Sequence, residues 1–141
     1  MKTICVIDGQ GGGIGSKIIS CLKEMFHETI EIIALGTNAI ATAQMLKAKA
    51  NRGASGENAI IQTVKRADII IGPLSIIVAH SMMGEVTPPM AEAVAASSAK
   101  KILIPLTQEN IEIAGLEPLP LPQLIDGLME KNLAQYYQKR T

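Results

Sequence analysis

Apolar residues occur along this chain in two ways: as short β-branched runs, and as longer stretches where they recur every three or four positions. The short runs Ile4–Ile7, Ile30–Leu35, Asp68–Ile71 and Lys101–Leu106 have the length and composition of buried strands. Helical spacing follows each of the earlier ones. Ile14, Ile18, Leu22 and Met25/Phe26 predict a helix after the first strand. Ala39–Ala50 predicts a second, with Ile40, Ala43, Leu46 (with Met45) and Ala50 on its buried face. Asn51–Gly56 reads as a glycine turn that opens a third helix over Glu57–Ala67, with Ser55 as its N-cap and Ile60, Ile61 and Val64 inward. Thr87 caps a fourth that runs to Ser98, and Pro88 sits in the first turn, where its missing N–H costs nothing. Leu74–Met83 fits a buried helix or a further strand, and the need for a crossover favours helix. Ile111–Ala114 reads as a short last strand. Pro118, Pro120 and Pro122 make a stiff connector to a final helix, about Pro122 to Gln138, that buries Leu121, Leu124/Ile125, Leu128 and Leu133. Strands alternating with helices predict an α/β fold: a Rossmann-like three-layer sandwich, its mostly parallel sheet covered by helices on both faces, formed as a single domain over 1–141.

Composition narrows the chemistry. Apolar residues make up 48% of the chain, but there is one Phe, there are two Tyr and there is no Trp, so the core is aliphatic. Thirteen basic residues balance thirteen acidic ones, and no basic stripe offers itself to a phosphate backbone; this argues against a nucleic-acid partner. Neutral charge on so aliphatic a chain favours a homo-oligomer. Cys5 and Cys21 lack metal-like spacing and suit small buried hydrophobes in a reducing compartment. The longest uncharged run, Ile69–Gly84, is interrupted by Gly72, Pro73 and His80, and Met1-Lys2 leads directly into a strand; no membrane contact and a cytoplasmic location are expected.

The chemistry-bearing stretch is Asp8–Gly15, where strand gives way to helix through Gly9, Gly11, Gly12, Gly13 and Gly15. Glycines let a backbone turn sharply beside a ligand, and a helix start offers N–H groups and a partial positive charge to a phosphate. The strict G-x-G-x-x-G pattern fails, because Ile14 stands where its third glycine belongs. G-x-x-x-G-x-G does fit, on Gly9, Gly13 and Gly15, and resembles the glycine loop of the short-chain dehydrogenases. That resemblance covers about the first quarter of the chain and implies a parallel sheet with NAD(P) lying across the loop. The dehydrogenases' Tyr-x-x-x-Lys pair has no counterpart: Tyr136 and Tyr137 are followed four residues on by Arg140 and Thr141. Over its whole length the chain also resembles a family of small bacterial proteins of uncharacterised function, through IDGQGGGIG (with Asp8–Gly15), IIALGTNA (Ile32–Ala39), GASGENAI (Gly53–Ile60) and KILIPL (Lys101–Leu106).

In a parallel sheet the residues just after each strand share one edge, and ligands bind there. The segments so placed are Asp8–Gly15, Gly36–Asn38, Gly72–Ser75 and Thr107–Asn110. They nominate as cofactor-binding residues Asp8, Gly9, Gln10, Gly11, Gly12, Gly13, Ile14, Gly15, Gly36, Thr37, Asn38, Gly72 and Pro73, with NAD or NADP as the expected cofactor. The acid that holds the adenosine ribose at the tip of the second strand in dinucleotide folds is missing, since no Asp or Glu lies between Glu31 and Glu57. Thr37 and Asn38 offer neutral hydrogen bonds instead, or simply cap the next helix; NADP and a mononucleotide stay open. Asp8 would repel a pyrophosphate unless loop amides or a metal meet it. Arg52, beside a predicted helix start, is a candidate phosphate partner or an ordinary surface cation. No metal-ligand spacing, nucleophile elbow or Walker lysine is present. Two further readings stand beside nucleotide binding. One is a stand-alone oxidoreductase working through Asp8, His80 or Glu109; the other is a structural or regulatory subunit whose glycine loops are only turns.

Overall fold

The computed structural model describes residues 1–106 and 109–136. Five strands, β1 (Lys2–Asp8), β2 (Ile30–Gly36), β3 (Arg52–Ser55), β4 (Ile69–Pro73) and β5 (Lys100–Ile104), form one sheet in the order β3-β2-β1-β4-β5. Every pair is parallel, and in the central register Val6 lies between Ala34 and Ile71. Alternate residues of β1 feed two separate cores. Ile4 and Val6 pack with Ile18, Ile19, Leu22 and Phe26 of α1 (Gly13–Phe26) and Met45 of α2 (Ala39–Lys47). Cys5 and Ile7 pack on the opposite side with Ile60 of α3 (Glu57–Thr63) and Met90 and Val94 of α4 (Pro88–Ala96). Burial on both faces is why these strands read as unbroken apolar runs rather than alternating ones. The three-layer Rossmann-like arrangement is therefore as expected. No helix among the described residues is long and apolar enough to cross a membrane.

Several local expectations are corrected. Arg52–Ser55 is an edge strand paired with Ile33–Gly36, not a glycine turn. Its residues are small or polar and mostly exposed, so it lacks the apolar signature that marks the other four. Ser55 does not cap α3; its hydroxyl donates to Thr42 Oγ1 at 2.7 Å, and Gly56 holds the cap position. In α2 the buried face is Ala41, Thr42 and Met45, while Ile40 is 69% exposed and Leu46 41%. The small Ala41 and Thr42 let the helix sit close to the short sheet edge, and Asn38 sets its phase by accepting from Ala41 N at 2.8 Å.

Leu74–Met83 is neither a long helix nor a strand. A 3-10 turn at Leu74–Ile77 is followed by a chain of tight turns in which His80, Met82 and Met83 all have positive φ. Ile111–Ala114 forms no strand, and Ile111 and Ile113 are exposed. The final helix is shorter than its periodicity suggests: α5 spans Leu121–Gly127, widens into a π-turn at Leu128–Asn132 and ends in a 3-10 turn at Ala134–Tyr136. Ile125, Leu128 and Leu133 are buried against the α1 face, as their spacing predicted. Thr107 and Gln108 of the polar break, and Tyr137 and Gln138 of the predicted helix end, lie outside the described residues.

Candidate functional site

The chain leaves β1 toward β2 on one side, and leaves β4 toward β5 on the other. This reversal opens a crevice between the C-terminal ends of β1 and β4, where ligands of open α/β sheets bind. At its floor Asp8, the last residue of β1, turns its carboxylate back onto the glycine loop. It accepts from Gly9 N at 2.8 Å and Gly15 N at 2.7 Å, with the Ile14 amide as a further donor. Burial pushes the Asp8 carboxyl above its ordinary range, and the Glu85 charge adds to that, against the opposing pull of the amides of Gly15, Gly9 and Ile14. The loop amides thus do for Asp8 what the sequence required.

The loop glycines divide by what surrounds them. Gly12 has φ 74°, and a Cβ there would stand 2.7 Å from the Ala41 carbonyl oxygen. Gly15 abuts the Met45 sulfur. These two exist so that α1 and α2 can meet. Gly11 and Gly13 face open space, and a Cβ at either would meet nothing within 4 Å.

Above the loop lies the segment connecting β4 to α4. His80, Met82 and Met83 have φ of 69°, 55° and 57°, and each such non-glycine residue costs about 1 kcal/mol. The segment is held by His80 N donating to Val86 O at 2.6 Å, Ser81 Oγ to Ser75 O at 2.6 Å and Met82 N to Glu109 at 3.2 Å. It also delivers Glu85 to the tip of β2. Glu85 Oε1 accepts from Thr37 Oγ1 at 2.6 Å, Gln10 N at 2.8 Å and Asn38 Nδ2 at 2.9 Å. Partial desolvation works to raise the Glu85 carboxyl, but the three donors, Thr37, Gln10 and Asn38, together hold it below its ordinary range.

These elements enclose a cavity of about 530 Å³. Asp8, Gly9, Gln10 and Ile14 line its β1 side, Pro73 and Ser75 its β4 side, and His80, Met82 and Met83 its rim, with Leu106 and Glu109 closing it beyond β5. Of the residues nominated from sequence, Asp8, Gly9, Gln10, Ile14 and Pro73 therefore face one space, as do His80 and Glu109. The others do not line it. Gly11 and Gly13 lie outside it, and Gly12 and Gly15 are packed between helices. Gly36 is closed in by Asn38 and Thr42, and Gly72 by the backbone oxygen of Ile7. Thr37 and Asn38 stand just beyond, bonded to Glu85, and Asn38 is also the α2 cap. Arg52 pairs with Glu31 at 3.0 Å on β2 and takes no part. Glu85 itself escaped the sequence reading, which sought an acid on β2 and not on a loop that the sheet order alone brings there. Among the described residues no group of three or more His, Cys, Asp or Glu is placed to share a metal ion.

Residues 3–137 match the family described as Domain of unknown function (DUF3842), and the chain belongs to that family. No curated protein matches it. Among solved structures it is similar to a dodecameric FMN-dependent UbiX-like decarboxylase from Escherichia coli O157:H7, at 16% identity and a TM-score of 0.50, over 99% of this chain and 96% of that one. It is also similar to a universal stress protein in complex with cAMP, at 16% identity and a TM-score of 0.44, over 73% of this chain and 95% of that one. At these identities the likeness concerns the fold.

Proposed function

We propose that this member of the DUF3842 family binds a nucleotide-type ligand in the crevice between β1 and β4. The carrying observation is the cavity itself. At about 530 Å³ it falls within the range of roughly 300–1,000 Å³ usual for small-molecule sites. Its walls suit a flat ring, with Ile14, Pro73, Met82 and Met83 as apolar surface and Gln10, Ser75 and His80 as polar points. Among the described residues no lysine or arginine lines the site, and the Gly9, Ile14 and Gly15 amides are taken by Asp8. A phosphate would therefore be met by the Gly11 and Gly13 amides at the start of the fourteen-residue α1. That phosphate end would extend out of the cavity, over the open ground at Gly11 and Gly13 beside it. The glycine pattern favours NAD or NADP. The fold shared with an FMN-dependent enzyme supports a flavin equally.

A thermal-shift panel of NAD, NADH, NADP, NADPH, FMN, FAD, ATP and AMP tests this. A ligand at a hundred times its dissociation constant adds about 2.7 kcal/mol, a rise of roughly 5–10 °C for a chain of this size. Gly11→Val, which fills open space without touching the core, is expected to abolish the rise while leaving the unliganded melt in place. A panel that moves nothing defeats the proposal. The oxidoreductase reading has one observation in its favour: Asp8, His80 and Glu109 line the same cavity.

Self-association belongs to the same proposal. Leu106, Ile111, Ile113, Leu116 and Leu119 are all more than a third exposed along the stretch that leaves the cavity after β5. Covering them removes apolar area that a lone chain leaves in water. Light scattering is expected to return a multiple of 15.0 kDa, and a sharp single-chain mass would refute it.

A further inference from the structure

Dinucleotide folds place an acid at the tip of the second strand, beside the glycine loop, to accept the ribose hydroxyls. Here β2 ends in Gly36 and continues into the neutral Thr37 and Asn38. Yet a carboxylate does stand at that point, because the β4–α4 connection carries Glu85 across to it. Its donors come from both neighbours: Gln10 N from the glycine loop at 2.8 Å, and Thr37 Oγ1 at 2.6 Å and Asn38 Nδ2 at 2.9 Å from beyond β2. All three converge on Oε1. Among the described residues Oε2 takes no hydrogen bond and no cation pairs with the group, so Glu85 is neither half of an ion pair nor a saturated acceptor. An ionised carboxylate has room for about four donors on its two oxygens, so Oε2 can still accept from a donor such as a hydroxyl.

We propose that Glu85 is the ribose acceptor of this site, its Oε1 anchored by Gln10, Thr37 and Asn38 and its Oε2 left to take the vicinal hydroxyls of a ribonucleotide. The assignment rests on the nucleotide reading above and deepens it. It makes the site selective for a free 2′,3′-diol, since a 2′-deoxy ligand leaves the carboxylate unsatisfied and a 2′-phosphate meets it as a like charge. The left-handed backbone at His80, Met82 and Met83 then has a use, because it folds this connection tightly enough to bring Glu85 over Gly9. Positioned in this way, the acid reaches the tip of β2 from another connection and is held there by the Thr37 and Asn38 side chains.

Calorimetric titration of the full chain with AMP and 2′-deoxy-AMP, and with NAD and NADP, tests the assignment. The wild type is expected to hold AMP at least tenfold more tightly than 2′-deoxy-AMP, and NAD more tightly than NADP, as a hydrogen bond to a charged group implies. Glu85→Gln, which keeps the size and one carbonyl oxygen for the anchoring donors, should bring AMP down about tenfold and leave 2′-deoxy-AMP unchanged, so that the ratio approaches one. Glu85→Ala should do the same, its melt showing that the connection remains folded. A purely structural Glu85 would weaken both ligands equally, and that result overturns the proposal. Wild-type protein that binds AMP and 2′-deoxy-AMP alike overturns it too, while leaving the nucleotide reading intact. A gain in AMP affinity on Glu85→Ala would mark the carboxylate as an obstacle and likewise overturns it. If no nucleotide binds at all, the nucleotide reading falls and the ribose assignment with it.

Discussion

Gly12→Ala is expected to destabilise the protein by about 2–5 kcal/mol, the sum of roughly 1–2 kcal/mol for a left-handed non-glycine residue and 1–3 kcal/mol for overpacking. Gly12 has φ 74°, and the new methyl would stand 2.7 Å from the carbonyl oxygen and 2.9 Å from the Cα of Ala41. Both are backbone atoms in the first turn of α2, so neither can rotate aside. Relief requires α1 and α2 to separate, which opens the core around Met45. For a chain of this length the melting temperature should fall by about 10 °C. Gly11→Ala and Gly13→Ala are the controls. Neither has positive φ, and neither methyl meets an atom within 4 Å. Each should lie within about 1 kcal/mol of wild type, on the stabilising side through a stiffer unfolded chain. Urea unfolding followed by circular dichroism separates the three. Equal losses in all of them would mean that the loop is needed whole, and that its division into packing and open glycines is mistaken.

Asp8→Ala is expected to cost about 3 kcal/mol, since a buried donor left without its acceptor costs roughly 1–3 kcal/mol and more than one would be stranded. The donors are Gly9 N and Gly15 N, with Ile14 N beside them. Asp8→Asn keeps the shape and one acceptor, and turns an NH₂ group toward a donor, so it should fall between alanine and wild type. Acidification distinguishes charge from shape. The Asp8 pKa is raised above 3.8 by burial first of all. Between 3.8 and that higher value the folded chain holds a proton that the unfolded chain has released. The contribution of Asp8 is therefore most favourable below 3.8 and is lost as the pH rises through the folded pKa. The stability difference between wild type and Asp8→Asn should accordingly widen from about pH 7 toward about pH 4. Glu85 behaves oppositely: its carboxyl is held down, so its contribution is present above 4.5 and disappears as the pH falls through the folded value. Denaturation of both proteins at the two pH values decides the matter, and a constant difference would show that Asp8 titrates normally.

Asp8 shows how far local reading reaches. A carboxylate next to five glycines needed donors, and those donors are amides of the same loop, Gly9 N next to it and Gly15 N seven residues on. Thr87 and Asn38 as caps were legible for the same reason: each accepts from an amide three residues on. Ile40 and Leu46 were misplaced because α2 covers a sheet edge, where small Ala41 and Thr42 approach most closely and larger side chains remain outside. Leu74–Met83 carries the composition of a helix, but the turns that hold it depend on Ser75, Val86 and Glu109.

By itself the sequence determined four buried strands, the α/β alternation, a sheet covered on both faces and the position of the glycine loop between strand and helix. All of these follow from residue type and spacing within a few turns, where periodicity and backbone preference act directly. Only the tertiary structure decided that Arg52–Ser55 would be a strand, that Gly12 and Gly15 would serve helix packing, and that Glu85 would stand at the tip of β2. Each of these is settled by a neighbour distant in sequence. The β3-β2-β1-β4-β5 order brings those neighbours together, and no local pattern encodes that order.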